Sequence, residues 1–363
     1  MARADLSSVG DHFLVGLRPY VALDERDRAL LEDLRPAGVV LFKSNFLHGA
    51  PYEEWLQAHA RLIDDVRRAV ARERLLIAID HEGGRVCRTP APITRFGYAE
   101  QWAEQAAAVG HAMGRELASL GINLSFAPVL DIHSNPANPV IGRRAFGTTS
   151  ELVSRAALDF MNALQSEGVL ACGKHFPGHG DTDQDSHHEL PVLKQDLAAL
   201  HARELQPFVA AIRGGISMLM TSHILLPSID AQAPVTLSER FNRGLLRDEL
   251  GFTGVIVSDD IGMQAASELF RDPRAAVQLL KAGADMIMVC SHWTDTERCR
   301  GFAAALRDAY RHDEIAGAAA SRARIAGLLA RAAQHAVTAL PAQVFEQSRR
   351  AGPLFAAQTA EVI

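Results

Sequence analysis

Four histidines and four carboxylates fall within eighteen residues of one stretch, KHFPGHGDTDQDSHHELP at 174–191. Pro177, Gly178 and Gly180 make a helix implausible there, and no two-residue alternation suits a strand, so the stretch reads as a loop. Three chemistries are open to it. His175, His179, Asp181, Asp185 and His187 could supply nitrogen and oxygen ligands to a metal, although their spacing matches no helical zinc motif. The loop could also be merely polar and solvated. The third reading is acid/base catalysis. Asp185 and His187 stand two apart, so in extended chain they project the same way, and the carboxylate can hold and polarise an imidazole that exchanges a proton near neutral pH. Gly178 and Gly180 would let the loop swing in over a substrate. A second chemical group is Asp259, at the end of the apolar run GVIVSDD (254–260). A carboxylate there is suited to attack an electrophilic carbon such as a sugar's anomeric carbon, or to steady a cation at it.

These groups need elements to position them. Apolar runs rich in β-branched residues recur at 12–17, 37–42, 75–80, 122–131, 169–176, 217–224, 254–260 and 285–290. Longer Ala-, Leu- and charge-rich segments with helical spacing separate them, for example 99–121, ending at Gly121, and 150–168, stopping at Gly168. Strands alternating with helices form a parallel sheet, and about eight such units close a barrel. The expected fold is α/β, a single (β/α)8 TIM barrel over 1–340 with a C-terminal extension at 341–363, since Pro341 interrupts the last helical pattern. No fixed-period repeat and no low-complexity linker divides the chain. In a barrel, the active site is built at the C-terminal ends of the strands. Asp80, Asp131, Lys174, His175, Ser222, His223, Asp259 and Asp260 all fall there. Any one strand-end Asp could simply cap the next helix. The whole set is too many for capping alone.

Composition narrows the partner. The chain is 48% hydrophobic and 22% charged with a net charge of -6, an ordinary soluble balance without the basic surface that nucleic acid or anionic lipid requires. No apolar run approaches the ~20 residues of a membrane span, and the first residues lack the apolar stretch of a secretory signal. Cys87, Cys172, Cys290 and Cys299 form no CxxC pair and read as buried thiols in a reducing compartment. The expectation is a cytoplasmic protein acting on a small or neutral molecule.

IAIDHEGGRVCR (77–88), NLSFAPVLDIHSNPANPVIGRRAFG (123–147), KHFPGHGDTDQDSHHELP and GVIVSDDIGM (254–263) occur in this order along the chain. In these four motifs the sequence resembles the glycoside hydrolase family 3 β-N-acetylglucosaminidases of bacterial cell-wall recycling. The resemblance implies that Asp259 is the nucleophile of a covalent glycosyl-enzyme, that His187 is the acid/base and that Asp185 is its partner. Asp80, Arg88, Arg144, Lys174 and His175 are implied as sugar contacts and Met263 as a pocket residue. A muropeptide carrying terminal N-acetylglucosamine is implied as substrate, with neither metal nor cofactor. His81, Cys87, Arg143 and the pair Ile261-Gly262 depart from the family pattern, and Arg143 beside Arg144 bears on aglycone preference. For Glu82, Gly83, Gly84 and Arg85 two readings stay open: a tight turn with a structural ion pair, or direct contact with substrate. Phosphorolysis in place of hydrolysis, a metal-dependent hydrolase and a catalytically silent sugar-binding protein are the alternative functions.

Overall fold

The computed structural model describes residues 7–182, 190–290 and 296–356. Each of the eight apolar runs yields a strand: β1 (Phe13–Gly16), β2 (Gly38–Leu41), β3 (Leu76–Ile79), β4 (Leu124–Ser125), β5 (Leu170–Phe176), β6 (Met218–Thr221), β7 (Val255–Asp260) and β8 (Met286–Val289). They pair in parallel in chain order and close between β8 and β1, where Leu14 lies opposite Met288. The chain is a (β/α)8 barrel.

The two faces of each strand explain the apolar runs. Leu14, Val40, Leu76, Ala78, Leu124, Cys172, Met218, Met220, Val257 and Met286 belong to one buried cluster inside the barrel. Their chain neighbours Phe13, Val15, Val39, Leu41, Ile77, Ile79, Ala171, Leu219, Ile256 and Ile287 belong to the layer between barrel and helices. Because side chains alternate with period two and both faces are dry, both sets must be apolar. Helix Ala318–Arg331 contributes Ile325, Leu328 and Leu329 to the inner cluster and so packs against the barrel interior.

Two expected elements differ in extent. The run 122–131 pairs as a strand only at Leu124–Ser125 and returns to the ladder as an isolated bridge from Val129 to Lys174. Pro128 has no N–H to give to a ladder, and its bond to Ala127 is cis. The helix expected over 99–121 is broken into Ala99–Trp102, a 3-10 turn at Ala103–Gln105 and Ala106–Ser119. At the break, the indole N–H of Trp102 donates to Gly97 O at 2.8 Å and its ring packs edge-on against Phe146. Helix Ser150–Ser166 starts where expected, capped by the Thr149 hydroxyl on Leu152 N–H, and Gly168 follows it at φ +83. Pro341 precedes a further short helix, Ala342–Ser348. Among the described residues no helix is long and apolar enough to cross a membrane.

Candidate active site at the barrel mouth

β3, β4, β5, β6 and β7 each deliver a polar group to the C-terminal mouth of the barrel. Asp80 and Glu82 follow β3, Asp131 follows β4, Lys174 and His175 lie in the last turns of β5, His223 follows β6, and Asp259 and Asp260 end β7. A register shift between β5 and β6 falls at Gly173 to Phe176, and another between β7 and β8 at Val257 to Asp260, so both strands are irregular where they carry charge.

Four of the implied sugar contacts form one network. Lys174 Nζ lies 2.6 Å from Asp80 Oδ1 and 2.5 Å from Glu82 Oε1. Arg144 grips Glu82 with two parallel hydrogen bonds, Nε to Oε2 and Nη2 to Oε1, each 2.8 Å. Arg88 Nη2 approaches Asp80 Oδ2 at 3.7 Å. The glycines after Glu82 make the tight turn, with Gly83 at φ +97 and Gly84 at φ +55. Of the two readings of this turn, the ion pair is observed: Glu82 is 5% exposed and bound to two cations. The side chains of Asp80 and Arg88 remain 24% and 29% exposed, the most open members of the network.

Burial by itself would push the Glu82 carboxyl up, but Arg144 and Lys174 outweigh it and hold the group well below the usual carboxylate range. Asp80 is lowered in the same way: burial opposes, and Lys174 and Arg88 prevail. Burial would likewise discharge Lys174, yet Asp80 and Glu82 raise it above the ordinary lysine value. Asp80, Glu82, Lys174 and Arg144 thus each favour their charged forms, a fixed array facing the mouth.

A second pair fixes His175. Asp131, 1% exposed, takes the His175 ring through Nδ1 at 2.6 Å and also accepts the backbone N–H groups of His175 at 3.1 Å and His179 at 2.7 Å. With Nδ1 engaged, Nε2 is the ring nitrogen left outside the pair. Sequence listed Asp131 as a rim carboxylate without a task, because its partner is 44 residues away and no local spacing links them.

The adjacent aspartates of β7 separate. Asp260 is 8% exposed and accepts the amides of Gly262 and Cys290 through Oδ1, both at 2.9 Å. Asp259 is half-buried and accepts the amide of Asp260 at 2.8 Å. His223, 1% exposed, sits behind the pair, with Nε2 3.2 Å from Asp260 O and Nδ1 2.9 Å from Thr236 Oγ1. Burial lowers its pKa, so it is neutral, and the nearby Asp259 charge only partly offsets this. Sequence named His223 as a rim residue but gave it no such role. Met263 is half-buried just after β7 and donates its amide to Asp260 O at 3.1 Å.

Asp185 and His187 lie outside the described residues. The described part of their loop is pinned. Asn138 Nδ2 donates to His179 O at 2.8 Å and to Thr182 Oγ1 at 3.0 Å. A Cβ at Gly180 would come within 1.6 Å of Ile132 O, so close packing against that carbonyl requires glycine here. Asp181 is taken by Ser134 Oγ at 3.0 Å, Gln195 Nε2 at 2.7 Å and Arg203 at 3.3 Å. His179 is turned to Thr182 Oγ1 at 2.8 Å, and burial, then the neighbouring His175, lowers it to about 4. His175, His179 and Asp181 thus each have a separate partner, and among the described residues they do not converge as metal ligands.

The chain matches the glycosyl hydrolase family 3 N-terminal domain over residues 9–322. A β-hexosaminidase of Thioalkalivibrio sulfidiphilus is 40% identical over 283 residues, 75% of this chain and 78% of that protein. A glycoside hydrolase family 3 β-N-acetylglucosaminidase from Paenibacillus sp. superposes with a TM-score of 0.85 at 34% identity, covering 96% of this chain and 68% of that one. NagZ from Neisseria gonorrhoeae, solved in complex with N-trifluoroacetyl-D-glucosamine, superposes with a TM-score of 0.69 at 31% identity, covering 88% of this chain and 98% of that one.

Proposed function

This chain belongs to glycosyl hydrolase family 3, and from that premise we propose that it is a retaining β-N-acetylglucosaminidase with Asp259 as its nucleophile. The observation that carries this reading is the division of labour on β7. Asp260 is committed to backbone amides, while Asp259 stays half-open at the mouth, beside a charged array of Asp80, Arg88, Lys174 and Arg144.

In the proposed cycle the terminal sugar is held by Asp80, Arg88, Arg144, Lys174 and His175. Asp259 Oδ attacks C1 as the bond to the leaving oxygen breaks and His187, steadied by Asp185, gives that oxygen its proton. Water then attacks C1 of the glycosyl ester with His187 taking its proton, and Asp259 leaves as carboxylate. Two inversions at C1 give net retention. The fixed charges lower the barrier without reorganising during the reaction. The substrate class is terminal, non-reducing β-linked N-acetylglucosamine. Its natural carrier on this reading is a muropeptide fragment handled in the cytoplasm during peptidoglycan recycling.

Hydrolysis of 4-nitrophenyl N-acetyl-β-glucosaminide, compared with the plain β-glucoside and run with and without chelator and phosphate, tests the reading. Chelator-resistant preference for the acetamido sugar is the expected result. Preference for the plain glucoside overturns the substrate, a rate that depends on phosphate turns the hydrolase into a phosphorylase, and loss with chelator that zinc restores returns the metal hydrolase.

A further inference from the structure

The segment after Pro341 comes back to the rim. Helix Ala342–Ser348 buries Phe345 edge-on against Tyr52, with ring centroids 5.5 Å apart. The chain then passes so close to the barrel helices at Gly352 that a Cβ there would lie 2.7 Å from Val109 Cγ2. Residues 353–355 run beside 95–97: Gly97 N donates to Pro353 O at 2.7 Å, Phe355 N donates to Arg95 O at 2.9 Å, and Phe96 and Leu354 form an antiparallel bridge.

Two routes lead from this strap into the site. On one, Gly84 N donates to both Phe96 O and Gly97 O, at 2.9 and 3.0 Å, and Arg95 Nε donates to Gly84 O at 3.3 Å. Gly84 lies in the Gly83–Val86 turn directly after Glu82, the carboxylate that holds Arg144 and Lys174. On the other, the Tyr98 ring stands edge-on to Phe355 at 5.7 Å and carries the Arg143 guanidinium at 4.6 Å from its centroid. Arg143 precedes Arg144 on the same 3-10 turn, Gly142–Arg144. Phe355 joins the routes, since its ring also takes the Arg95 guanidinium at 3.9 Å.

We propose that the C-terminal strap, through Phe355, is a positioning element for substrate binding: it fixes the Glu82 turn and the Gly142–Arg144 turn together and so sets how Arg144 and Lys174 face the sugar. This rests on the sugar-binding reading above. Phe355 is only half-buried and belongs to none of the core clusters, so the barrel should fold without its ring. Misplacing binding groups by about an ångström can cost up to roughly 100-fold, even when the change lies far from the chemistry.

The test compares full-length wild-type protein with Phe355→Ala and the conservative Phe355→Tyr, reading KM and kcat on 4-nitrophenyl N-acetyl-β-glucosaminide, and hydrogen exchange at the amides of Gly84 and Gly97. Phe355→Ala should raise KM by about tenfold with kcat within about twofold, speed exchange at both glycines and leave the strand amides protected, and Phe355→Tyr should restore KM. An active wild-type with unchanged KM in Phe355→Ala overturns the inference. So does a fall in kcat alone that tracks lost folded protein, which marks a purely structural strap. A wild-type with no activity on the sugar sinks the proposed function instead, and exchange in Phe355→Ala then reads the strap separately: unchanged protection at Gly84 overturns its hold on the Glu82 turn, and faster exchange there shows that hold while its role in substrate binding falls with the sugar reading.

Discussion

Asp260 ties β7 to β8 by accepting the backbone amide of Cys290 at 2.9 Å. Its neighbour Asp259 makes no such bridge in the geometry described and faces the mouth half-buried. Substitution should therefore separate the two. Asp259→Asn should reduce kcat by at least about a thousandfold and move the unfolding free energy by no more than about 0.5 kcal/mol. Asp260→Ala orphans the amides of Gly262 and Cys290, at a cost of about 1–3 kcal/mol for each. Urea titrations beside initial rates check both, and equal losses of stability in the two variants would contradict the assignment.

Glu82 should prove a stability residue. Glu82→Gln removes the charge that Arg144 and Lys174 share while leaving both cations buried, and breaking one side of a buried pair costs about 3–5 kcal/mol. A denaturant melt reads this directly. A loss below about 1 kcal/mol, the level of an exposed pair, would show that water reaches the network freely.

Acid should destabilise the fold through histidines as well as carboxylates. Burial holds His59, His81 and His179 each near 4, against an ordinary value of 6.5. The folded pKa is the lower one, so the unfolded chain takes up protons first as the pH falls. The stabilisation is complete above about 6.5 and is lost between there and about 4, on the order of 3 kcal/mol for each fully shifted group. Asp27 works the other way: burial raises it to about 6, so its contribution declines as pH rises from about 4 to 6, and one such group offsets only part of the loss. Urea midpoints should fall from pH 7 to pH 4.5, and His81→Gln should flatten the fall. A parallel profile in His81→Gln would show that His81 is not buried neutral.

The barrel was legible because a parallel strand dry on both faces leaves a short apolar run, and all eight runs were present. Its ends were less so. Pro128 cut one long run to two paired residues, and Trp102, turning to Gly97 O, broke a helix whose composition reads as continuous. At the site, the residue types at the strand ends pointed to the mouth, but their pairings are not local. Asp131 meets His175 across 44 positions, Arg144 meets Glu82 across 62, and Phe355 reaches Arg95 from the other end of the chain. Strand alternation puts Asp259 and Asp260 on opposite faces without saying which faces the mouth. Asp259 shares the face of Val255 and Val257, which lie inside the barrel, while Ile256 packs in the outer layer.

The most direct test of the account is where the sugar goes. Incubating the protein with a fluorinated N-acetylglucosaminyl donor that slows the second step, quenching, and mapping peptides by mass spectrometry should place one sugar on Asp259, with NMR of early product from an ordinary β-glycoside showing the β-anomer. A first product of α configuration, or a sugar carried on any residue other than Asp259, would contradict it.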